Sequence, residues 1–181
     1  MFTKNARALM LSSVVLNYLY GNGGTIEVTR TNGTKVYAFR APTFNSNNVN
    51  VNYYYNESYA GIKIGSGTTP PTQDDYSMGS IIPNNSLACT LVSTRTYMED
   101  NDACAQHVLS VTNKSSNDIT ITEIGLVHTI QASPQAGSTY NGGDVPVLVD
   151  RTLLATPLTI PSSESATITY TIKASISTAT A

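Results

Sequence analysis

Charge is scarce in this sequence. Of its 181 residues only 12% are Asp, Glu, Lys or Arg, against about 25% in ordinary soluble domains. Twelve acidic and ten basic side chains nearly cancel, leaving a formal net charge of -2. So balanced a chain lacks the attraction that drives sequence-independent binding to nucleic acid or anionic lipid. Neither nucleic acid nor membrane is therefore expected as a partner. Cysteine is scarce too: Cys89 and Cys104 alone do not make the disulfide framework of a small secreted domain. Long apolar runs are missing as well, none approaching the ~20 residues that a membrane-crossing helix needs. The apolar stretch 8–16 behind Lys4 and Arg7 superficially resembles a secretory signal. Ser12 and Ser13 interrupt it and no Ala-x-Ala site follows, so the expectation is a soluble protein made in a cytoplasm.

In place of charge the chain carries 25 Thr, 19 Ser and 16 Asn, a composition that suits strands and turns. At 40% hydrophobic it can fill one ordinary core, and its length fits a single domain of ~100–200 residues. Residues 4–20 form the one good helix candidate, with Thr3 as N-cap and Gly21 as the stop. Leu9, Val15, Leu16 and Leu19 share a stripe, and Met10, Leu11, Val14 and Tyr18 widen it beyond the usual apolar arc of a surface helix. Such a helix wants cover, either from its own β domain or from a partner subunit.

After Gly24 the period changes to two. Segments 25–30 and 35–40 read as strands joined at Asn32-Gly33, a dipeptide suited to the positive φ of a tight hairpin. Further strands are expected at 49–56, 61–65, 87–98, 105–113, 118–128, 145–155 and through Ile168, Tyr170 and Ile172. Ile119 and Ile121 differ in parity from Ile124 and Leu126, which a β-bulge near Thr122-Glu123 would reconcile. The expected fold is mainly β: an antiparallel β-sandwich or jelly-roll-like domain with one N-terminal helix. Residues 1–24 would be a helical attachment segment, 25–175 the β-sandwich domain and 176–181 a flexible tail.

Signals for catalysis are thin. His107 and His128 are the two neutral-pH bases, each within an alternating strand, and no Gly-x-Ser-x-Gly elbow presents a nucleophile. Gly65-Ser66-Gly67 lacks the Gly-Lys-Ser/Thr ending of a phosphate loop. Glu123, set among apolar residues, can pair with Arg151 as a structural ion pair or serve as a catalytic carboxylate, and the pair is the preferred reading. The turn Glu99-Asp100-Asn101-Asp102 offers oxygen ligands, but without an EF-hand pattern it reads as a solvated hairpin turn. Cys89, Cys104, His107 and His128 show no zinc spacing. No catalytic, cofactor-binding or metal-binding residue is assigned. The run 53–55 together with Tyr59 could form a sugar- or subunit-binding surface; alternation buries Tyr53 and Tyr55 and leaves Tyr54 outward.

Three blocks carry a family likeness: residues 65–76 (Gly-Ser-Gly-Thr-Thr-Pro-Pro-Thr-Gln-Asp-Asp-Tyr), residues 119–126 (Ile-Thr-Ile-Thr-Glu-Ile-Gly-Leu), and Leu148-Val149-Asp150-Arg151 running on to 165–172. In their order and spacing the chain resembles a recurring β-domain of tailed-bacteriophage virion proteins. The resemblance implies a non-enzymatic structural part of a phage particle, in capsid decoration, head fibre, neck or tail. Its partners would be other virion proteins and further copies of itself in a homo-oligomer. Its location would be the virion, after synthesis in the host cytoplasm. The alternative is a receptor- or carbohydrate-binding module of a fibre, taking a host glycan. The first 60 residues lie outside the matched region, and docking is expected there, with Leu9, Val15, Leu16, Leu19, Tyr54 and Tyr59 as interface candidates. Physically, Gly65 and Gly67 are expected to supply backbone angles closed to other residues. Asp74 or Asp75 would accept backbone N–H bonds, and Tyr76 would be buried against a strand.

Overall fold

In the computed structural model, residues 1–8, 25–38, 61–83, 85–100, 102–134 and 144–175 are described. Asn32-Gly33 makes the first hairpin. Strands β1 (Ile26–Thr29) and β2 (Lys35–Ala38) pair antiparallel, with Ile26 opposite Ala38 and Thr29 opposite Lys35. The turn closes with the Gly33 N–H on the Arg30 carbonyl at 2.8 Å and the Arg30 N–H on the Thr34 carbonyl at 2.9 Å. Gly33 alone takes positive φ, 83°, while the Asn32 carboxamide oxygen accepts from the Thr34 N–H and hydroxyl. A type I turn closed by a left-handed glycine has this form.

The remaining strands are β3 (Gly61–Gly65), β4 (Leu87–Glu99), β5 (Asp102–Asn113), β6 (Ile119–Ser133), β7 (Asp144–Ile160) and β8 (Ser165–Ser175). All ladders described are antiparallel, and with 65% strand and one short helix among the described residues the expected mainly β, sandwich-type fold is what forms. The chain falls into two compact units, residues 1–83 with 120–158 and residues 84–119 with 159–181.

In the first unit the strand order is β1-β2-β6-β3, with β7 also pairing β6. The core gathers Val28, Val36, Ala38, Ile130 and Ala132 with Val145, Val147 and Val149 of β7. Around the parity change in β6, Ile121, Glu123 and Ile124 are all buried, and the register with β3 runs unbroken from Glu123 opposite Gly65 to Val127 opposite Gly61, a stretch that begins at the edge of the expected bulge.

The amino terminus belongs to this unit. Thr3 caps residues 4–8, which are helical: its hydroxyl oxygen accepts from the Ala6 N–H at 3.3 Å and donates to the Leu148 carbonyl at 2.7 Å. The Asn5 carboxamide donates to the Thr29 carbonyl at 2.7 Å and accepts its N–H at 2.8 Å, standing in for a neighbouring strand at the end of β1. Ala6 is buried in the core, with Phe2 and Ala8 packed against it. Residues 1–8 of the expected attachment segment thus pack on the β body. Leu9, Val15, Leu16, Leu19, Tyr54 and Tyr59, the rest of the helix to residue 20, the strand 49–56 and the tail 176–181 lie outside the described residues.

The second unit is a three-stranded sheet in the order β4-β5-β8. Its bulge falls between Leu91 and Ser93 and leaves Val92 outward. Leu109, Val111, Ile168 and Tyr170 are buried while Thr167, Thr169 and Lys173 are exposed, the alternation expected of the last strand. Cys89 lies opposite Val111 and Cys104 opposite Tyr97, so the two thiols stand far apart along the hairpin and no disulfide joins them. Cys104, beside the turn, is the buried one. Buried Asn113 is fully engaged: its amide nitrogen donates to the carbonyls of Asn117 (2.8 Å) and Ile160 (2.9 Å), and its oxygen accepts from the Ser115 N–H and hydroxyl (2.8 Å each).

Asn5→Ala removes both bonds to Thr29 and strands its backbone groups. We expect a loss of about 1–3 kcal/mol in unfolding free energy, read from the urea midpoint; an unchanged midpoint contradicts the strand-mimic role.

Candidate functional site

The first unit buries an ionic cluster. Glu123, on β6, is fully buried, and Arg151, on β7, is 3% exposed. The Arg151 Nε donates to Glu123 Oε2 at 2.7 Å, so the expected ion pair forms. The other guanidinium nitrogens donate to Asp75 Oδ2 at 2.8 Å and to the Thr69 carbonyl at 2.9 Å. Glu123 also takes backbone N–H groups from Gly67 (3.0 Å) and Ser80 (2.7 Å) on Oε1 and from Gly79 (3.2 Å) on Oε2. Four donors saturate a carboxylate. Asp75 accepts the Thr72 N–H at 3.0 Å and its hydroxyl at 2.8 Å, the backbone capture expected of this position.

Two strands thus hold a long irregular segment. Residues 66–80 would otherwise leave buried N–H groups without partners, and such groups are costly. Glu123 gathers both ends of that segment. The Ser66 N–H donates to the Ser80 carbonyl at 2.8 Å, the Ile82 N–H to the Ile64 carbonyl at 3.0 Å, and the Thr122 hydroxyl to the Gly67 carbonyl at 2.8 Å. The glycines here serve space, not φ. Neither Gly65 nor Gly67 has the positive φ expected of it. A Cβ on Gly65 would stand 2.6 Å from Glu123 Oε1, one on Gly67 would collide with the same oxygen, and one on Gly79 would stand 2.9 Å from the Arg151 guanidinium. Tyr76 also departs from expectation. It is 43% exposed, because its ring lies against the Gly33 turn rather than on a strand.

Burial alone would raise the pKa of Glu123; the Ser80 N–H, Arg151 and the Gly79 N–H outweigh it and hold the carboxyl below its ordinary value. Asp75 follows the same balance, with Thr72 and Arg151 overcoming burial. Arg151 is raised by its two carboxylates against the effect of burial. Chemically the cluster is an ionised, saturated clamp, and Glu123 has no lone pair left for a substrate proton.

The other residues singled out by sequence are dispersed. His107 Nδ1 lies 3.2 Å from the Thr94 hydroxyl, and burial lowers the pKa of both His107 and His128. Glu99 of the acidic turn pairs with Lys173. Among the described residues no three His, Cys, Asp or Glu side chains gather as metal ligands would. Sequence reading found the Glu123–Arg151 pair and the Asp75 turn separately. It missed that the two are one cluster, which only the fold could bring together.

Glu123→Gln should cost about 3–5 kcal/mol, because it leaves the buried Arg151 charge short of its partner. The double variant Glu123→Met/Arg151→Met should stay destabilised, since the N–H groups of Gly67, Gly79 and Ser80 lose their acceptor; recovery to wild-type stability contradicts the clamp. Acid should weaken the fold in two stages. His107 and His128 have folded pKa values below their unfolded ones, so protonation of the unfolded chain gives a shallow loss below about pH 6.5. Glu123 and Asp75 contribute stability present above the unfolded carboxylate values and lost as pH falls through their lower folded ones. A steeper limb is therefore expected below about pH 4. Urea midpoints across pH 3–8 read both, and Glu123→Gln should flatten the acid limb. No family model, curated protein or solved structure matches the chain.

Proposed function

We propose that the chain is a structural component of a tailed-bacteriophage particle, acting through subunit contacts with other virion proteins and with copies of itself. One observation supports this reading above the rest. The three sequence blocks that resemble virion β-domains meet in a single cluster: Gly67, Thr69, Thr72 and Asp75 from the first, Glu123 from the second and Arg151 from the third. Blocks that are separate in sequence and joined by one ion network read as one inherited unit of architecture. Their chemistry is that of a clamp on a loop, which suits a part selected for shape. A saturated, buried carboxylate with a lowered pKa favours structure over turnover.

In this reading the β body is the rigid part, and attachment lies among the candidates Leu9, Val15, Leu16, Leu19, Tyr54 and Tyr59. Apolar area at such positions drives association when it is removed from water. The chain would reside in the virion after synthesis in the host cytoplasm.

The test is incorporation of the full chain. Particles purified by density gradient from cells expressing the tagged chain with its phage should carry it in fixed stoichiometry. Leu16→Asp/Leu19→Asp, with an unchanged circular dichroism spectrum, should reduce incorporation about tenfold or more, as loss of two buried leucines at a contact implies. Complete particles that lack the chain contradict the proposal.

A further inference from the structure

A sheet edge is a row of unpaired N–H and C=O groups, and proteins guard it against other chains by shortness, cover, bulges, Pro or Lys. The outermost strands of the first unit's order, β1 and β3, are guarded. β1 is four residues long, and the Asn5 carboxamide bonds both the N–H and the carbonyl of Thr29 at its end. β3 has five residues and is covered from outside, by the Gly65–Ile81 bridge and by the Ile82 N–H on the Ile64 carbonyl.

The second unit differs. Its outer strand β4 is 13 residues long and carries neither Pro nor Lys, whereas β8 at the opposite edge carries Lys173. The bulge at Val92 breaks the first half of β4. Beyond it the ladder is regular, from Ser93 opposite Val108 to Glu99 opposite Asp102. From 93 to 99 every residue but Tyr97 is exposed, Met98 at 60%. Among the described residues the backbone of this stretch has partners on β5 alone, so its outer side is an open edge.

Side chains select what pairs with that edge. Arg95, Tyr97 and Glu99 alternate along β4 and share one face. The Arg95 Nε donates to Gln106 at 2.8 Å, its guanidinium carbon lies 4.7 Å from the centre of the Tyr97 ring, and Glu99 pairs with Lys173. Opposite charges therefore stand two residues to either side of Tyr97. A second β4 laid antiparallel about a two-fold axis at Tyr97 sets Arg95 of each copy opposite Glu99 of the other, and Thr96 opposite exposed Met98. Parallel pairing in register would set Arg95 on Arg95 and Glu99 on Glu99, and like charges directly opposite are destabilising. Within one chain the two are four strand residues apart, about 13 Å, and cannot meet. They complement each other only between chains.

We propose that the open edge of β4 pairs antiparallel with the same edge of a second copy, about a two-fold axis at Tyr97, joining two three-stranded sheets into one. This gives a surface to the contacts between copies in the proposed function, and rests on that reading for its place in a particle.

Sedimentation equilibrium of the full chain tests the contact. Residues 95–99 on each side are far fewer than the roughly 20–30 of a stable interface, so a weak dimer is expected, with a Kd of about 0.1–1 mM. Arg95→Glu and Glu99→Arg each bring like charges together across the axis. Either variant alone, with an unchanged circular dichroism spectrum, should dimerise about tenfold or more weakly. Mixed in equal amounts the two should form a heterodimer of wild-type affinity, because every Arg then faces a carboxylate again. A misfolded variant cannot recover in this way. A wild-type chain that stays monomeric up to about 1 mM, or a mixture no tighter than its components, overturns the contact. So does a dimer that survives both substitutions, which would lie elsewhere on the chain. A chain monomeric in solution yet present in particles overturns the β4 contact and leaves the proposed function standing.

Discussion

One buried carboxylate organises the first unit. Glu123 accepts four hydrogen bonds, three from the backbone of a loop and one from Arg151, and the rest of the architecture around it follows from that demand. A charge with no exposure is tolerated only when every lone pair is met. The segment 66–80, with few repetitive bonds of its own, is held by side chains from β6 and β7. The glycines at 65, 67 and 79 exist because the carboxylate and guanidinium occupy the space where their side chains would be. Ionic and steric requirements here are the same requirement seen from two sides.

Much of this was legible in the sequence, for reasons that differ by residue. Asn32-Gly33 announces its hairpin because the turn chemistry is local, and Ile168, Tyr170 and Ile172 announce their strand because one face meets water and the other does not. The Glu123–Arg151 pair could be suggested because an acid among apolar neighbours needs a cation, and few are available in so uncharged a chain. The function of the glycines was not legible. A glycine kept for φ and one kept for space read identically in sequence, and only the position of the Glu123 oxygens tells them apart. Tyr76 was placed inside because an aromatic after a turn usually buries itself; the Gly33 turn offers it a surface without full cover. The division into two units was not visible either, since β4, β5 and β8 alternate just as the strands of the first unit do.

The amino terminus illustrates how a segment can serve two ends. Residues 1–8 are tied into the β body through Thr3, Asn5 and Ala6, which gives whatever follows a fixed point of departure. An anchored start is what a docking element at 9–24 would need if it is to transmit a contact to the core.

Native-state hydrogen exchange at the amides of Gly67, Gly79 and Ser80 tests the clamp most directly. These three sit in irregular backbone and have Glu123 as their acceptor, so their protection reports that carboxylate alone. The account predicts opening free energies close to that of global unfolding at neutral pH, matching the strand amides of β6. Exchange of all three at the rate of an unstructured loop would mean that the carboxylate does not hold the segment, and the architecture described here would lose its centre.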